Sequence, residues 1–431
     1  MSSIQSASHT ILNDPITPAE IDRCLPKSKI KAVGTDRISN IMLNSLSPEN
    51  KIHLHHLFNT HLNNSFVPPQ WKQSIIIPLL KPDKPADDPS SYRPISLTSC
   101  LCKVMERILS NRIQWLLECK CLINREQAGF RRGCSTTDHI TQLESHIKQD
   151  FSKKRSTVAV FLDISKAYDS VWTQGLLYKS SRLGISGPIL AWLQEFLTGR
   201  SICVRVGSQS SRFIRIENGV PQGAVLSPTL FNIMLMDLPK LSPLTKIYLF
   251  ADDVTITASC KQPSDAEVTI QPALDKVHRW SSKWKLKLAP DKSACVVFSR
   301  SYKPGPDPLL FINGHPIPPK SKFKFLGIWF DQKLLWKPHI EHVHAHCIKL
   351  KNLFSMITNS KCGPSTKTLI LLFKTLVRSK TDYGLIAYGN ASKSNLTKID
   401  IPPADPSSGS SWDPSSRLPR KSYMRSRQRN P

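Results

Sequence analysis

The stretch "KIYLFADDVTITA", residues 246–258, sets Asp252 and Asp253 side by side within an apolar, β-branched run. Tyr248, Leu249, Phe250, Val254 and Ile256 are strand formers, whereas Asp is a poor one and adjacent carboxylates repel each other. Asp is also a frequent turn residue, and a hairpin turn would account for the pair by itself. The two readings are compatible, because a tight turn can present two carboxylates to a cation. A second acid ends a second apolar strand. In "TVAVFLDISKAYDSVW", residues 157–172, Val158, Val160 and Leu162 alternate and Asp163 comes next, where the strand gives out. A single acid at a strand end is ordinarily a cap or a turn residue. Two acid-tipped strands lying side by side in one sheet would instead aim Asp163, Asp252 and Asp253 at one point. That arrangement suits two Mg²⁺ ions about 3.5–4 Å apart, clamping the attacking and leaving oxygens of an in-line phosphoryl displacement. The ions would also relieve the repulsion, since Mg²⁺ takes a few carboxylates together with waters and substrate phosphates.

The elements that must position these acids are legible in the patterning. Thr17-Pro18-Ala19-Glu20 has the form of a capping box with Pro at the first helical position, so a helix is predicted there. Within residues 65–98, "QSIIIPLLKPDK" reads as a strand, "PADDPSS" as a loop and "YRPISL" as the return strand of a hairpin. A helix is predicted at about 103–118, a strand at 157–163, helices near 173–198 and a strand pair around 202–217. Another helix starts in "LSPTLFNIML", followed by the 246–258 unit and a helix at about 264–286. Strands are predicted at 294–300 and 323–331, and a helical pattern runs from about 339 to 380. The layout is mixed α+β without internal repeats. From residue 401 the chain turns to Pro, Ser and Arg with almost no core formers and is expected to be disordered.

Composition narrows the class. The 431 residues suffice for two or three domains, and a hydrophobic content of 40% is globular. Fifty-nine Lys and Arg against 32 Asp and Glu give a net charge of +27, a surface suited to a polyanion, with nucleic acid favoured over an anionic membrane. No apolar run approaches the roughly 20 residues needed to span a bilayer, and the N-terminus lacks a signal-peptide core, so an intracellular protein of nucleus or cytoplasm is expected. Eleven cysteines do not form a secreted disulfide framework. Cys100, Cys102, Cys119 and Cys121 resemble a zinc set, but the helically spaced Val104, Met105, Ile108, Leu109, Ile113, Leu116 and Leu117 lie between them. Ordinary buried or half-buried thiols are expected. His339, His342, His344 and His346 do not share one helical face and read as a polar, nucleic-acid-facing surface.

Three stretches in order, "FLDISKAYDSV", "NGVPQGAVLSPTLFN" and "LFADDVTI", resemble the central palm motifs of reverse transcriptases, in the version of non-LTR retrotransposons and of jockey-like elements in particular. "WKQSIIIPLLKPDK", "SYRPISLTSCLCKVMERIL" and "QAGFRRGCSTTDHI" resemble the segments N-terminal to the palm in that family. "LAPDKSACVVFSR" and "FKFLGIWFDQKLLWKPHI" resemble the segments C-terminal to it. The resemblance runs from about residue 15 to about 395. It implies an α+β right-hand polymerase with an antiparallel palm sheet and a helical thumb. Fingers would occupy residues 15–150 after a 1–14 extension, the palm with its primer-grip region 151–335, the thumb 336–400, and a basic tail 401–431.

The resemblance also implies roles. Asp163 and Asp252 would hold two Mg²⁺ ions, or Mn²⁺ in their place, with Asp253 completing the cluster. The backbone of Ile164 would approach a metal or a phosphate. Tyr168 would lie under the incoming sugar and exclude a 2′-hydroxyl. Gln222 and Gly223 would line the nascent base pair, and Lys81, Lys84 and Arg93 would contact the triphosphate of a dNTP. Lys292 would protonate the leaving pyrophosphate. Phe325, Leu326 and Gly327 match the turn that grips a primer end, and Arg131 and Arg132 would meet template or primer phosphate. The expected partners are an RNA template, a DNA primer and dNTPs, with no membrane. Elements of this type encode an endonuclease ahead of the polymerase, and no stretch here is long enough for one, so a polymerase core separated from its element is expected. Two alternatives stand beside this one: a non-catalytic nucleic-acid-binding remnant, and an RNA-dependent RNA polymerase, against which Tyr168 argues.

Overall fold

In chain order, strands β1 (Gln73–Leu80) and β2 (Tyr92–Leu97) form an antiparallel hairpin, with Leu79 opposite Arg93 and Ile75 opposite Leu97. The computed structural model that shows this describes residues 12–28, 32–82, 84–358 and 363–399; the tail read from residue 401 lies outside the described residues. Strand β3 (Ser156–Leu162) begins a second sheet. Strands β4 (Arg200–Val206), β5 (Gln209–Ser210) and β6 (Ile214–Ile216) return to the first sheet, in the order β2-β1-β4-β5 with β6 also on β4. The hairpin is therefore not free-standing: β1 runs parallel to β4, with Gln73 opposite Ser201 and Ile76 opposite Val204.

The second sheet is antiparallel throughout. Its order is β7-β8-β3-β9, with β7 at Thr245–Phe250, β8 at Asp253–Cys260 and β9 at Ala294–Phe298. All seven residues of β3 are buried, because both faces of this central strand are covered. Alternate side chains serve different cores. Val158, Val160 and Leu162 join one that contains Met105, Ile108, Leu109 and Ile113 of helix Cys100–Cys119. Ala159 and Phe161 join a second with Ile140, Leu143 and Ile147 of helix Thr136–Ser152. Phe161 also stacks on Phe323 at 4.2 Å and 15°. After a short hairpin, β10 (Phe311–Ile312) with β11 (His315–Pro316), comes the pair β12 (Lys322–Phe325) and β13 (Ile328–Asp331). Helices Lys337–Thr358 and Thr366–Leu372, a π-helical turn at Phe373–Arg378 and the short helices Ser379–Asp382, Leu385–Tyr388 and Lys393–Leu396 follow.

At the N-terminus Thr17 and Glu20 form the capping box that the sequence signalled. Glu20 then takes two bonds from Arg112, of 2.8 and 2.9 Å, while the same guanidinium donates to the carbonyls of Leu12, Asp14 and Pro15. All five donors of Arg112 are used, so the segment is stitched to helix Cys100–Cys119.

Several expectations change. Helices Pro48–Asn63 and Thr136–Ser152 stand where none was predicted. Cys100 and Cys102 are buried, but Cys119 and Cys121 are exposed rather than buried or half-buried. One continuous helix separates the two pairs, about 28 Å along its axis at 1.5 Å per residue, so they do not share a metal. His339 is 3% exposed and packs edge-on to Tyr388 at 4.8 Å, so it belongs to the core and not to the polar surface expected of it. The neighbouring His342 is exposed, and His344 and His346 are half-buried. Among the described residues no helix is long and apolar enough to cross a membrane.

Lys179, on helix Thr173–Arg182, is buried with its ammonium 3.8 Å from the Trp284 ring centroid and 2.5 Å from Asp237 Oδ1. Burial lowers its pKa from 10.5 to about 8, against the pull of Asp237. Between those values the unfolded chain binds a proton that the folded one does not, so stability should rise with pH over that interval. In urea titrations at a series of pH values, Lys179→Met should flatten this rise and, by removing a buried charge, leave stability near pH 7 unchanged or higher.

Candidate active site

The pairing registers bring the acids together. Leu162 of β3 lies opposite Val254 of β8, so the next residues on either side are Asp163 and Asp253. On the other flank Phe250 pairs with Asp253, which leaves Ala251 and Asp252 as a two-residue hairpin loop. The hairpin-turn reading of the acidic pair therefore holds: Asp252 sits in the turn, and Asp253 opens the strand beside Asp163. The turn places Ala251 at φ +55°, a conformation that ordinarily favours glycine.

The electrostatics report the crowding. Burial, with a further contribution from the charge of Asp163, raises Asp252 above the ordinary carboxylate range. Asp253 is pushed up to about 7, by surrounding protein first and then by the charges of Asp252 and Asp163. Its side chain nevertheless retains solvent-exposed area, so the like-charge contribution is the firmer of these causes. Crowded carboxylates, two of them raised by burial and by neighbouring negative charge, are a suitable donor set for hard dications, which favour oxygen ligands and remove the repulsion. Among the described residues, no three His, Cys, Asp or Glu side chains are gathered closely enough to form a ready metal cage. A site for Mg²⁺ that is completed by waters and substrate phosphates does not need one.

Asp163 is held from the far side by residues 287–293. Its carbonyl accepts from Ala289 N at 2.9 Å, its amide donates to Ser293 Oγ at 3.4 Å, and Ser165 N donates to Lys287 O at 2.8 Å. Ile164 is buried and bridges to Leu288. The same turn sets Lys292 Nζ 3.4 Å from Asp163 Oδ2, with Lys292 itself largely exposed. Tyr168 is partly buried and stacks on Phe231 at 5.1 Å and 9°. Burial and then the Asp252 charge raise its hydroxyl above the ordinary tyrosine value.

The Gln222–Gly223 loop is fastened to the β1–β2 hairpin. Ser96 N donates to Gln222 O at 2.7 Å, and a Cβ on Gly223, at φ +125°, would meet Ser96 O at 2.6 Å. Glycine is required by that close approach. Glu106, fully buried on helix Cys100–Cys119, accepts from the amides of Val225 and Leu226 at 2.6 and 3.0 Å, just ahead of helix Ser227–Leu235. Sequence reasoning missed Glu106; a lone Glu in an amphipathic stretch gives no sign that it will cap a distant loop.

The other expected site residues lie outside this cluster. Lys84 and Arg93 are exposed on the hairpin, and Lys81 bonds Ser90 O at 2.9 Å. Arg131 is paired with Glu118 at 2.8 Å, and Arg132 bonds Asn111 at 3.0 Å, so both are anchored to helix Cys100–Cys119. Phe325 is buried against Phe161 and Phe330, so its side chain packs the β12–β13 turn from within. Leu326, at φ +44°, and Gly327, at φ +87°, form that turn, and Leu326 O accepts from Tyr383 Oη at 2.6 Å.

Comparison with known proteins gives the family. The family described as reverse transcriptase (RNA-dependent DNA polymerase) matches residues 79–330, which include all three acids and Lys292. The probable RNA-directed DNA polymerase from transposon BS of Drosophila melanogaster is 31% identical over 90% of this chain and 44% of its own length. The RNA-directed DNA polymerase from mobile element jockey of the same species is 32% identical over 90% of this chain and 43% of its own. The chain thus spans less than half the length of these curated relatives. Among solved structures, apo telomerase from Candida tropicalis aligns over 64% of this chain and 59% of its own at 13% identity and a TM-score of 0.40, too weak a likeness to argue from. With a family match over more than half of its residues, the chain belongs to the reverse transcriptase (RNA-dependent DNA polymerase) family, in similarity to the polymerases of jockey-like non-LTR elements.

Proposed function

We propose that this chain extends a DNA 3′-hydroxyl on an RNA template, with dNTPs as substrates and Asp163, Asp252 and Asp253 as the acidic centre. The observation that carries the reading is the register that sets Asp163 beside Asp253 with Asp252 in the adjoining turn. Two Mg²⁺ ions bound there would neutralise the charge that develops at the attacking and leaving oxygens of phosphoryl transfer. The chain's own groups then divide the remaining work. Lys292, beside Asp163 and open to solvent, would give a proton to departing pyrophosphate. Tyr168, its ring fixed by Phe231, would lie under the sugar and leave no room for a 2′-hydroxyl. Gln222 and Gly223 would present a close-lying backbone to the nascent base pair. Lys81, Lys84 and Arg93 would meet the triphosphate from the hairpin side.

In this reading the first sheet and its helices are fingers, the β7-β8-β3-β9 sheet is the palm, the turn at Leu326–Gly327 grips the primer, and the helices after residue 336 form the thumb. Arg131 and Arg132 would meet nucleic-acid phosphate at the edge of helix Cys100–Cys119. With a net charge of +27, affinity for an RNA–DNA hybrid would come chiefly from phosphate contacts and fall steeply with salt.

Primer extension on an RNA template, with dNTPs and NTPs offered separately, tests the proposal. The wild-type chain should extend with dNTPs, and Asp252→Ala should lose about a thousandfold in rate, about 4 kcal/mol of transition-state stabilisation, while still binding the hybrid in a filter assay. Extension that survives Asp252→Ala would remove the acidic centre from the mechanism, and a wild-type chain that binds without extending would be a binding remnant. Tyr168→Val should lower the preference for dNTPs over NTPs by about 10- to 100-fold, read from single-nucleotide incorporation. An unchanged preference would mean that the ring serves packing alone.

A further inference from the structure

The turn that carries Asp252 is gripped by a residue to which neither the acids nor the similarity assigns a role. Gln127 is 2% exposed, and its side-chain amide bonds the backbone of one residue on both sides. Gln127 Oε1 accepts from Ala251 N at 3.0 Å, and Gln127 Nε2 donates to Ala251 O at 3.3 Å. The same Oε1 accepts from Gly129 N at 2.7 Å, which fixes the amide in orientation. Around this clamp the two segments run alongside each other. Ala128 N donates to Leu249 O at 2.9 Å and Leu249 N to Glu126 O at 3.1 Å. His139 Nε2 donates to both Leu249 O and Glu126 O, at 2.9 and 3.0 Å. Asn232 Nδ2 holds Gly129 O at 3.0 Å. The approach is so close that a Cβ on Gly129 would lie 2.2 Å from Ala251 N.

Ala251 is the residue that most needs such help. It is the first residue of a two-residue hairpin loop, at φ +55°, a position where glycine is the ordinary choice. It is also buried, so its amide and carbonyl need partners from within the protein. A primary amide offers N–H donors and a carbonyl acceptor in one plane, and so can pair with both polar groups of one residue as a neighbouring strand would. We propose that Gln127 is a positioning residue for the acidic turn, holding Ala251 in its left-handed conformation so that Asp252 is aimed at Asp163 and the turn is ready to take divalent cation. This rests on the reading of the acids as a metal site, and it adds a residue 125 positions away in sequence that sets how well that site is formed.

The full-length chain tests it through Mn²⁺ binding, followed by electron paramagnetic resonance titration without nucleotide or nucleic acid. Gln127→Met keeps the length of the side chain and loses all three hydrogen bonds. It should weaken Mn²⁺ binding by about 10- to 100-fold, the range lost when the outer partners of metal ligands are removed, with hybrid affinity close to wild type and a melting temperature lowered by the unmet buried groups of Ala251 and Gly129. Ala251→Gly added to Gln127→Met should recover most of that loss, because glycine adopts positive φ without a clamp. A general packing defect would not be repaired by a glycine in the turn. Wild-type Mn²⁺ affinity in Gln127→Met, or no recovery in the double variant, overturns the assignment. Wild type that binds Mn²⁺ no better than Asp252→Ala overturns the metal reading itself, which is a different result. Should Gln127→Met fail to fold, hydrogen exchange in the wild-type chain decides: a slowly exchanging Ala251 amide supports the clamp, and an unprotected one overturns it.

Discussion

Repulsion among three like charges is the constraint around which the molecule is arranged. Asp163, Asp252 and Asp253 come from two strands and the turn beside them, and burial together with the neighbouring acidic charges makes Asp252 and Asp253 harder to ionise. Among the described residues the ion pair to this group is made by Lys292 alone, and that lysine is mostly in solvent. The acids are therefore kept together by the frame beneath them and not by one another. The frame is β3, whose two faces are buried in two separate cores, flanked by β8 and β9 in tight register. The hydrophobic energy of those cores, far larger than the electrostatic cost of a few crowded carboxylates, holds the acidic ends in place.

Local geometry is then set by main-chain bonds from distant parts of the chain. Residues 287–293 fasten the segment after Asp163, Gln127 fastens the turn before Asp253, and Ser96 and Glu106 fasten the loop of Gln222 and Gly223. Each of these connections satisfies a backbone donor or acceptor with a partner distant in the chain. Such bonds have directions that apolar packing lacks, which suits them to placing a carboxylate. The glycines at 129 and 223 serve the same end by letting two backbones meet where any side chain would collide.

Much of this frame could be read from sequence where a single periodicity decides the element. The alternation of Val158, Val160 and Leu162 gave the central strand to within a residue, and the run from Val104 to Leu117 gave the long helix that separates the cysteine pairs. Helix Thr136–Ser152 was not predicted, although Ser135 and Asp138 cap it. Its apolar stripe is only Ile140, Leu143 and Ile147, while His139, Glu144, His146 and Asp150 are buried with it. Those polar side chains are accommodated by long-range partners such as Leu249 O, Thr257 and Ser259, which no local pattern announces. The same holds for Gln127 and Glu106. His339 misled in the opposite way: its three histidine neighbours suggested a polar surface, but the helix turns it inward against Tyr388. Resemblance supplied expected roles for residues that patterning left ambiguous, Tyr168 and Lys292 among them; Lys292 lies 3.4 Å from Asp163, and Tyr168 stacks on Phe231.

The parallel pairing of β1 with β4 has a mechanical result. Strand β4 turns back through β6 and reaches Gly219 within three residues of Ile216, so the hairpin that bears Lys81 and Arg93 is continuous by sheet hydrogen bonds with the segment leading into Gln222. Ser96 closes the circuit by bonding Gln222 directly. A tilt of the hairpin in response to anything bound at its tip must drag that loop along, so the two behave as arms of one lever rather than as independent jaws.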